Sequence, residues 1–395
     1  MKLFNKPGLL LFPFLISLAM AGEDNTPLVF SVDLVFGAEE EDEVYLWPSG
    51  STSVTVDDRG HIYVSDPAEN RVLEFDSNGR FVRLVAKEGK GPGEFQDLLW
   101  FTILRDGSAV GYELVGGNTA KLHVFDKNLR FREASQKQLI LELATLSPDG
   151  QHLAGFFVRV DPENRLMEYR TGVFNAALEE IKSFTLNSGP MHDRSRIQEP
   201  AYWAERLAQN MKRALKGEGV FNFGKDGTLY SALTTQYEIT AWNPDMKTEK
   251  QIFKRQYKPI PQTDAQLDAM IEFLTDQLTA DPFLANLITP AVTKRAIQLA
   301  EPPPVKNPVF GLLVMEDGTL LVVHDVNLVT RIHSADVFSP QGKYLGKVSF
   351  PDHALLAPSF GGYLPRMIFR NGYAYTVQTD EMGDNRVVRY TFSQR

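Results

Sequence analysis

Eight side chains scattered along this sequence carry the kinds of group that a binding or catalytic site uses: Asp66, Glu94, Glu113, His324, Asp325, His333, Arg366 and Gln378. Three or four carboxylates, imidazoles or amides converging on one point would hold a divalent cation. Asp66, Glu113 and His324 are the set that could do so here, with calcium or zinc as the metal. Glu94 and Arg366 pair a carboxylate with a guanidinium, which orients a small polar ligand through charge-assisted hydrogen bonds. Each of these residues also has a structural reading: a salt bridge, a rim residue satisfied by loop backbone, or an imidazole with an ordinary hydrogen bond. With no Cys in the chain, thiolate ligands, thiol nucleophiles and disulfides are excluded. No Gly-x-Ser-x-Gly elbow, His-Glu-x-x-His pair or Walker loop occurs either. Gly89-x-Gly91-x-Gly93 is not followed by a helical pattern, so it reads as a connection rather than a phosphate cradle.

The elements that must position these residues repeat. A polar turn ending in Gly separates two apolar strands six times, at Gly60, Gly107, Gly150, Gly227, Gly318 and Gly372. Asp-Gly and Asn-Gly tolerate the positive φ that tight hairpins demand, so these turns are structural. A second turn recurs after an aromatic strand end, at Phe75-Asp76, Phe125-Asp126, Phe174-Asn175, Trp242-Asn243 and Phe338-Ser339. Short β-rich segments flank both turns, giving four antiparallel strands per unit, the pattern of a propeller blade. The sixth unit supplies only three strands, which leaves an outer edge open to pairing. Leu28 to Phe36 alternates Phe30, Val32, Leu34 and Phe36 against Ser31 and Asp33 and has no partner of its own. It is expected to close the ring as the outermost strand of the last blade. The expected fold is therefore all-β, a six-bladed propeller over residues 22–395.

Two of the glycine spacings are too long for a blade, 77 and 91 residues against 47, 43 and 54 for the others. The extra length predicts helical insertions at about 190–218 and about 262–301. In the first, Trp203, Leu207, Met211 and Leu215 fall on one helical face, with Arg206, Lys212, Arg213 and Lys216 expected on the wet face or against an acidic partner. In the second, Thr263 and Gln266 form a capping box ahead of Leu267, Met270, Ile271, Leu274 and Leu278, and a further helical stretch runs from Ala291 to Ala300. Both insertions fall between the last strand of one blade and the first strand of the next. Together with the irregular loops between second and third strands, they load one face of the disc, and the short turns lie on the other. Irregular loops on a rigid scaffold collect binding residues, so the insertion face at the mouth of the channel is the expected site. Aligned on their turn glycines, the repeats place Asp66, Glu113, Phe156, Leu233, His324 and Gln378 at equivalent positions on that side.

Residues 1–21 read as a secretory signal, with Lys2 and Lys6 ahead of the apolar run Gly8 to Ala21 and a small-x-small site at Ala19-Met20-Ala21. That run is shorter than the roughly 20 residues needed to span a bilayer, so no transmembrane anchor is expected, and a secreted or periplasmic location is. No lipid-modified cysteine is available at the cleavage point. The formal charge is −9, and losing the two lysines makes it more negative. So acidic a chain repels a phosphate backbone, which argues against nucleic-acid binding.

The stretch from Val54 to Phe95 resembles an NHL-type repeat. It carries the Asp-x-x-Gly hairpin, Ile62-Tyr63-Val64, the Asp66…Asn70-Arg71-Val72 loop, Phe75-Asp76, Asn78-Gly79 and Gly-x-Gly-Pro-Gly-Glu-Phe from Gly89. Asp161 to Arg165 and Asp384 to Val387 echo the loop, and the recurring Arg71, Arg165 and Arg386 are expected to make a repeated bond between blades. More broadly the chain is similar to bacterial exported six-bladed propellers. The resemblance implies recognition of proteins or other ligands on a propeller face; the expectation is a protein, peptide or glycan held on the insertion face, with no resident cofactor. The alternative it leaves open is a divalent-metal-dependent enzyme, a lactonase-like hydrolase or an amidating-lyase-like enzyme, at the channel mouth.

Overall fold

The computed structural model describes residues 28–37, 44–46, 52–116, 119–161, 163–191, 193, 195–279, 284–330, 332–351, 356–359, 362–365, 367–379 and 384–394. The expected leader over residues 1–21 and Arg366 lie outside the described residues.

Six four-stranded antiparallel sheets form. Blade 1 is Ser53–Val56, Ile62–Asp66, Arg71–Phe75 and Phe81–Ala86. Blades 2 to 5 follow in order, with inner strands Leu98–Ile103, Ile140–Leu146, Gly219–Phe223 and Gly311–Val314. Blade 6 takes Ile368–Arg370, Tyr373–Thr379 and Asn385–Gln394 from the end of the chain and its outer strand, Leu28–Phe36, from the beginning. Leu28 pairs with Gln394 and Phe36 with Val387. The ring is closed as the alternation of Leu28 to Phe36 predicts, and Phe30 drives it by packing its ring against Phe350 (centroids 5.1 Å apart), Phe369, Tyr390 and Phe392.

Apolar side chains gather in every seam between neighbouring blades. Val72, Phe95 and Phe101 fill the blade 1–2 seam, Tyr112, Leu141 and Phe157 the next, and Val173, Phe221 and Phe223 the third. Ile239, Leu312 and Val322 join blades 4 and 5, Leu321, Val337 and Phe369 blades 5 and 6, and Val64, Phe75 and Tyr375 blades 6 and 1. Since strand side chains alternate in direction, each sheet can bury both faces against its two neighbours in this way.

Three helices stand outside the sheets. Helix α1 (Pro200–Leu215) connects blades 3 and 4, whereas α2 (Asp264–Thr279) and α3 (Pro290–Ala300) connect blades 4 and 5. Ala204, Leu207 and Ala208 of α1 pack with Leu278 of α2 and Val292, Ala296 and Ala300 of α3. Two connections separated by a whole blade thus share one apolar cluster and form a single cap. Half of the expected capping box is made: Thr263 Oγ1 accepts from the Gln266 N–H at 3.3 Å, while Gln266 Oε1 has no hydrogen bond. The long second connection returns to where it left, for Pro261 bridges to Val305 and the Gln262 N–H donates to the Pro304 carbonyl. A hairpin, Leu356–Ser359 with Gly362–Pro365, occupies the connection between blades 5 and 6. Its spacing of 54 residues gave no sign of it. None of the described helices is long and apolar enough to cross a membrane.

The opposite face consists of tight turns that hold one another. Glu316 in the blade 5 turn meets Lys225 of blade 4 at 2.9 Å and Arg370 of blade 6, and Arg370 meets Asp58 of blade 1 at 2.7 Å. Asn371 Nδ2 donates to the Asp57 carbonyl, and the Arg105 N–H of blade 2 donates to the Pro148 carbonyl of blade 3.

Candidate functional site

Most of the residues singled out by type turn out to be engaged within their own blades. Asp66 is fully buried and receives Arg71 Nε at 2.8 Å, while Arg71 Nη2 donates to the Tyr45 carbonyl. Burial raises its pKa against the opposing pull of Arg71. Glu113, also buried, accepts from His123 Nε2, Lys121 Nζ and the Gln96 N–H. Burial alone would raise its pKa, but these hydrogen bonds outweigh it and hold the carboxyl at about 2. Glu94 folds back on its own loop, accepting from the Gly91 N–H at 2.8 Å with Lys87 beside it. That loop is tight, since a Cβ at Gly89 would lie 2.0 Å from Glu94 Oε2. Gln378 Nε2 donates to Tyr390 Oη. Lys306 Nζ holds Asp325 at 2.6 Å and also reaches the Val326 carbonyl. His333 is buried in the third strand of blade 5.

These positions correct two expectations. Asp66, Glu113 and His324 stand on blades 1, 2 and 5 and do not gather; among the described residues no three His, Cys, Asp or Glu side chains form a group able to hold a metal. The physical reason is that Asp66 and Glu113 already have cationic partners of their own. On α1, Arg206 and Arg213 are buried and only Lys212 and Lys216 are exposed, so the four do not make a wet face. Arg213 lies over Tyr169 at 3.9 Å and Phe156 at 4.7 Å, and Arg206 Nη1 donates to the Pro190 carbonyl. The two arginines fasten the cap to blade 3. Between blades 1 and 2, Asn70 Oδ1 accepts from the Leu98 N–H and Ser65 Oγ from the Phe101 N–H, with Arg71 serving Asp66 instead.

One seam is different. Toward the insertion face, between blades 4 and 5, Asp336 is fully buried and accepts two groups on Oδ2: Tyr237 Oη and Arg255 Nε, the latter at 2.6 Å. Its Oδ1 has no hydrogen bond and lies 3.5 Å from His324 Nε2. His324 is buried too, and neither of its ring nitrogens makes a hydrogen bond. Tyr257 stands over this pair, stacked on Tyr237 (centroids 5.2 Å, planes 15° apart) and edge-on to the imidazole at 6.1 Å, and its Oη is also without a partner.

Local sequence explains the arrangement. Val323 pairs with Ala335 but Asp325 pairs with Ser334, so His324 is the extra residue of a β-bulge, a device that re-aims one side chain within a strand. Tyr237 precedes the third strand of blade 4 (Glu238–Trp242), and Arg255 follows its outer strand (Glu249–Lys254). Tyr257 belongs to an extended segment, residues 255–260, tied at one end by Arg255 and at the other by the Lys306 N–H donating to the Ile260 carbonyl.

The electrostatics keep the seam close to neutral. Burial lowers the His324 pKa, helped by Arg255 and Lys347 and resisted by Asp336 and Asp325, so the imidazole is uncharged at neutral pH. Burial, with Asp325 and Asp336 nearby, pushes the Tyr257 phenol up to about 12. Burial also works against the Arg255 charge, but Asp336 outweighs it and raises its pKa. The result is one compensated ion pair beside a neutral imidazole and a neutral phenol. His324 was legible in the sequence, whereas Asp336, Arg255, Tyr237 and Tyr257 were missed. The available signal was an aspartate between Ala335 and Val337 in an otherwise apolar strand end.

A family model supports the architecture. Residues 50–138 match a family described as a 6-bladed beta-propeller. Among solved structures, the chain is similar to a protein of Bacteroides fragilis NCTC 9343 named as exported, with 11% identity, coverage of 95% of this chain and 97% of that one, and a TM-score of 0.48. It is also similar to a duf4221 family member from Bacteroides vulgatus ATCC 8482, with 8% identity, 94% and 100% coverage and a TM-score of 0.46. For virginiamycin B lyase from Staphylococcus aureus the values are 10% identity, 92% and 99% coverage and a TM-score of 0.38. No curated protein matches the sequence.

Proposed function

We propose that this chain is an exported recognition propeller of NHL-like type, non-catalytic, that holds a protein, peptide or glycan on its insertion face in the periplasm or outside the cell. One observation carries the reading: helices from two separate connections share a single apolar cluster on one side of the disc, while the other side is made of turns whose polar groups are bonded to each other. Rigid scaffolds carry binding groups on such additions. Asp66 and Glu113 support the ring rather than a reaction, which favours binding over the metal-dependent lyase or hydrolase reading.

Excision tests it. Because Pro261 and Val305 are bridged, residues 262–304 can be replaced by a short turn without stretching the flanking chain. Immobilised parent protein should retain specific components of the cell envelope or culture medium, identified by mass spectrometry, and the excised variant should lose them. Retention by the excised variant at parental levels would overturn the proposal.

A further inference from the structure

We infer that the blade 4–blade 5 seam is a ligand site of its own, made for two adjacent hydroxyl groups of a neutral sugar or polyol. The inference goes beyond the recognition reading, because it concerns groups between the sheets and does not depend on what docks on the helical cap.

The seam holds unfilled hydrogen-bonding capacity. Buried polar atoms are nearly always partnered, and leaving one bare costs about 1–3 kcal/mol. Here four atoms lack a hydrogen bond: Asp336 Oδ1 and His324 Nε2, which lie 3.5 Å apart, His324 Nδ1, and the Oη of Tyr257, whose ring stands edge-on to the imidazole. The carboxylate oxygen needs a donor. A neutral imidazole offers one donor and one acceptor, and a phenol offers both. Something that fills the set must bring at least two donors and one acceptor within a few ångströms. A vicinal diol does so, because each hydroxyl donates once and accepts as well. A secondary amide brings one donor and falls short.

Charge narrows the class further. Arg255 already compensates Asp336 at 2.6 Å, so an added cation meets the guanidinium and an added anion meets the free Asp336 oxygen. Lys306 is taken by Asp325, and Lys347, which also acts on His324, is exposed. An uncharged ligand is the one that disturbs neither pair. The stacked rings of Tyr237 and Tyr257 supply the flat apolar wall against which the C–H face of a sugar ring packs. Entry is from the Tyr257 side. Tyr237, Arg255 and Tyr257 are only partly buried, and the Tyr257 hydroxyl would break no hydrogen bond in moving aside.

The experiment is saturation-transfer NMR and calorimetry on the full-length mature protein. Probes are glucose, galactose, mannose and glycerol, against glucuronate and glucosamine as charged forms and N-methylacetamide as the secondary amide. At least one neutral diol-bearing probe should bind in the millimolar range, and the charged forms and the amide at least tenfold more weakly. Tyr257→Phe, which removes only the unpartnered hydroxyl, should weaken binding about tenfold, and His324→Leu should abolish it while the parental melting temperature is kept. The inference is overturned if no diol-bearing probe binds at 50 mM, on the order of the weakest affinity such a site would show. It is equally overturned if the charged probes or the amide bind as well as the neutral ones, or if the two folded variants bind like the parent. Such failures leave the recognition reading standing, since that rests on excision of residues 262–304.

Discussion

The ring of short turns and the seam between blades 4 and 5 are both rich in charged and aromatic residues, but they use them in opposite ways. On the turn face, Lys225, Glu316, Arg370 and Asp58 run from blade to blade as linked ion pairs, and backbone groups of adjacent turns bond directly. In the seam, Asp336 holds Arg255 and Tyr237 through one oxygen and leaves the other without a hydrogen bond, 3.5 Å from a His324 that makes none either. Ion pairs that run from blade to blade tie neighbouring turns together, whereas buried polar atoms gathered without hydrogen bonds call for an added partner. The contrast underlies the proposal that stability and recognition fall to different parts of one scaffold.

One deletion and four substitutions sharpen or break that contrast, and the largest effect belongs to closure. Removing residues 28–36 strips Leu28 and Phe30 from the blade 5–6 core and leaves Asn385–Gln394 as an open edge. Loss of the cooperative calorimetric transition is expected, because truncating a single core Phe costs about 3–5 kcal/mol and a whole domain has only about 5–15.

Asp336→Asn comes next. It keeps the shape but leaves the Arg255 charge without its counterion, and breaking a buried pair costs about 3–5 kcal/mol. Arg255 retains some exposure, so a loss near the lower end is expected in denaturant titration.

Glu113→Gln should act through pH. A carboxyl held at about 2 when folded and near 4.5 when unfolded stabilises the fold above pH 4.5, and this contribution disappears as pH falls toward 2. The shift corresponds to about 3 kcal/mol. The parent should therefore lose stability over that acid window, and the Gln variant should start lower and show a flatter profile there.

Glu316→Gln should cost about 1 kcal/mol or less, because its partners Lys225 and Arg370 are partly solvated, and the loss should shrink at high salt. Tyr257→Phe should leave stability within about 0.5 kcal/mol of the parent, since the hydroxyl it removes makes no hydrogen bond. A larger loss would show that Tyr257 belongs to the structure in the way Glu316 does, and would erase the contrast.

How far the sequence spoke for itself follows the same division. Features governed by local chemistry were legible: six Gly turns, the alternation in Leu28 to Phe36, and the four-residue period of Trp203, Leu207 and Met211. Each of these reports its structure through neighbours a few residues away. The candidate site was only partly legible, because His324, Asp336, Arg255 and Tyr237 come from two blades and meet across up to 99 residues of chain. Residue type alone could not distinguish Glu113, which three donors surround, from His324, which none approaches. Nor could helical spacing show that Arg206 and Arg213 lie beneath the cap, since long side chains on a wet-looking arc reached the aromatic residues of blade 3.

The absence of cysteine makes the division of labour directly testable. Single cysteines placed at Lys212 on α1 or Gln298 on α3, and at Asn78 or Asn128 in turns on the opposite face, can each carry a bulky polymer without cross-reaction; all four positions are exposed. Retention of the physiological partner by each labelled protein is then compared with that of its unlabelled form. The account predicts that the label blocks retention at Lys212 and Gln298 and leaves it intact at Asn78 and Asn128. Blockage at the turn positions with free binding at the helices would contradict it.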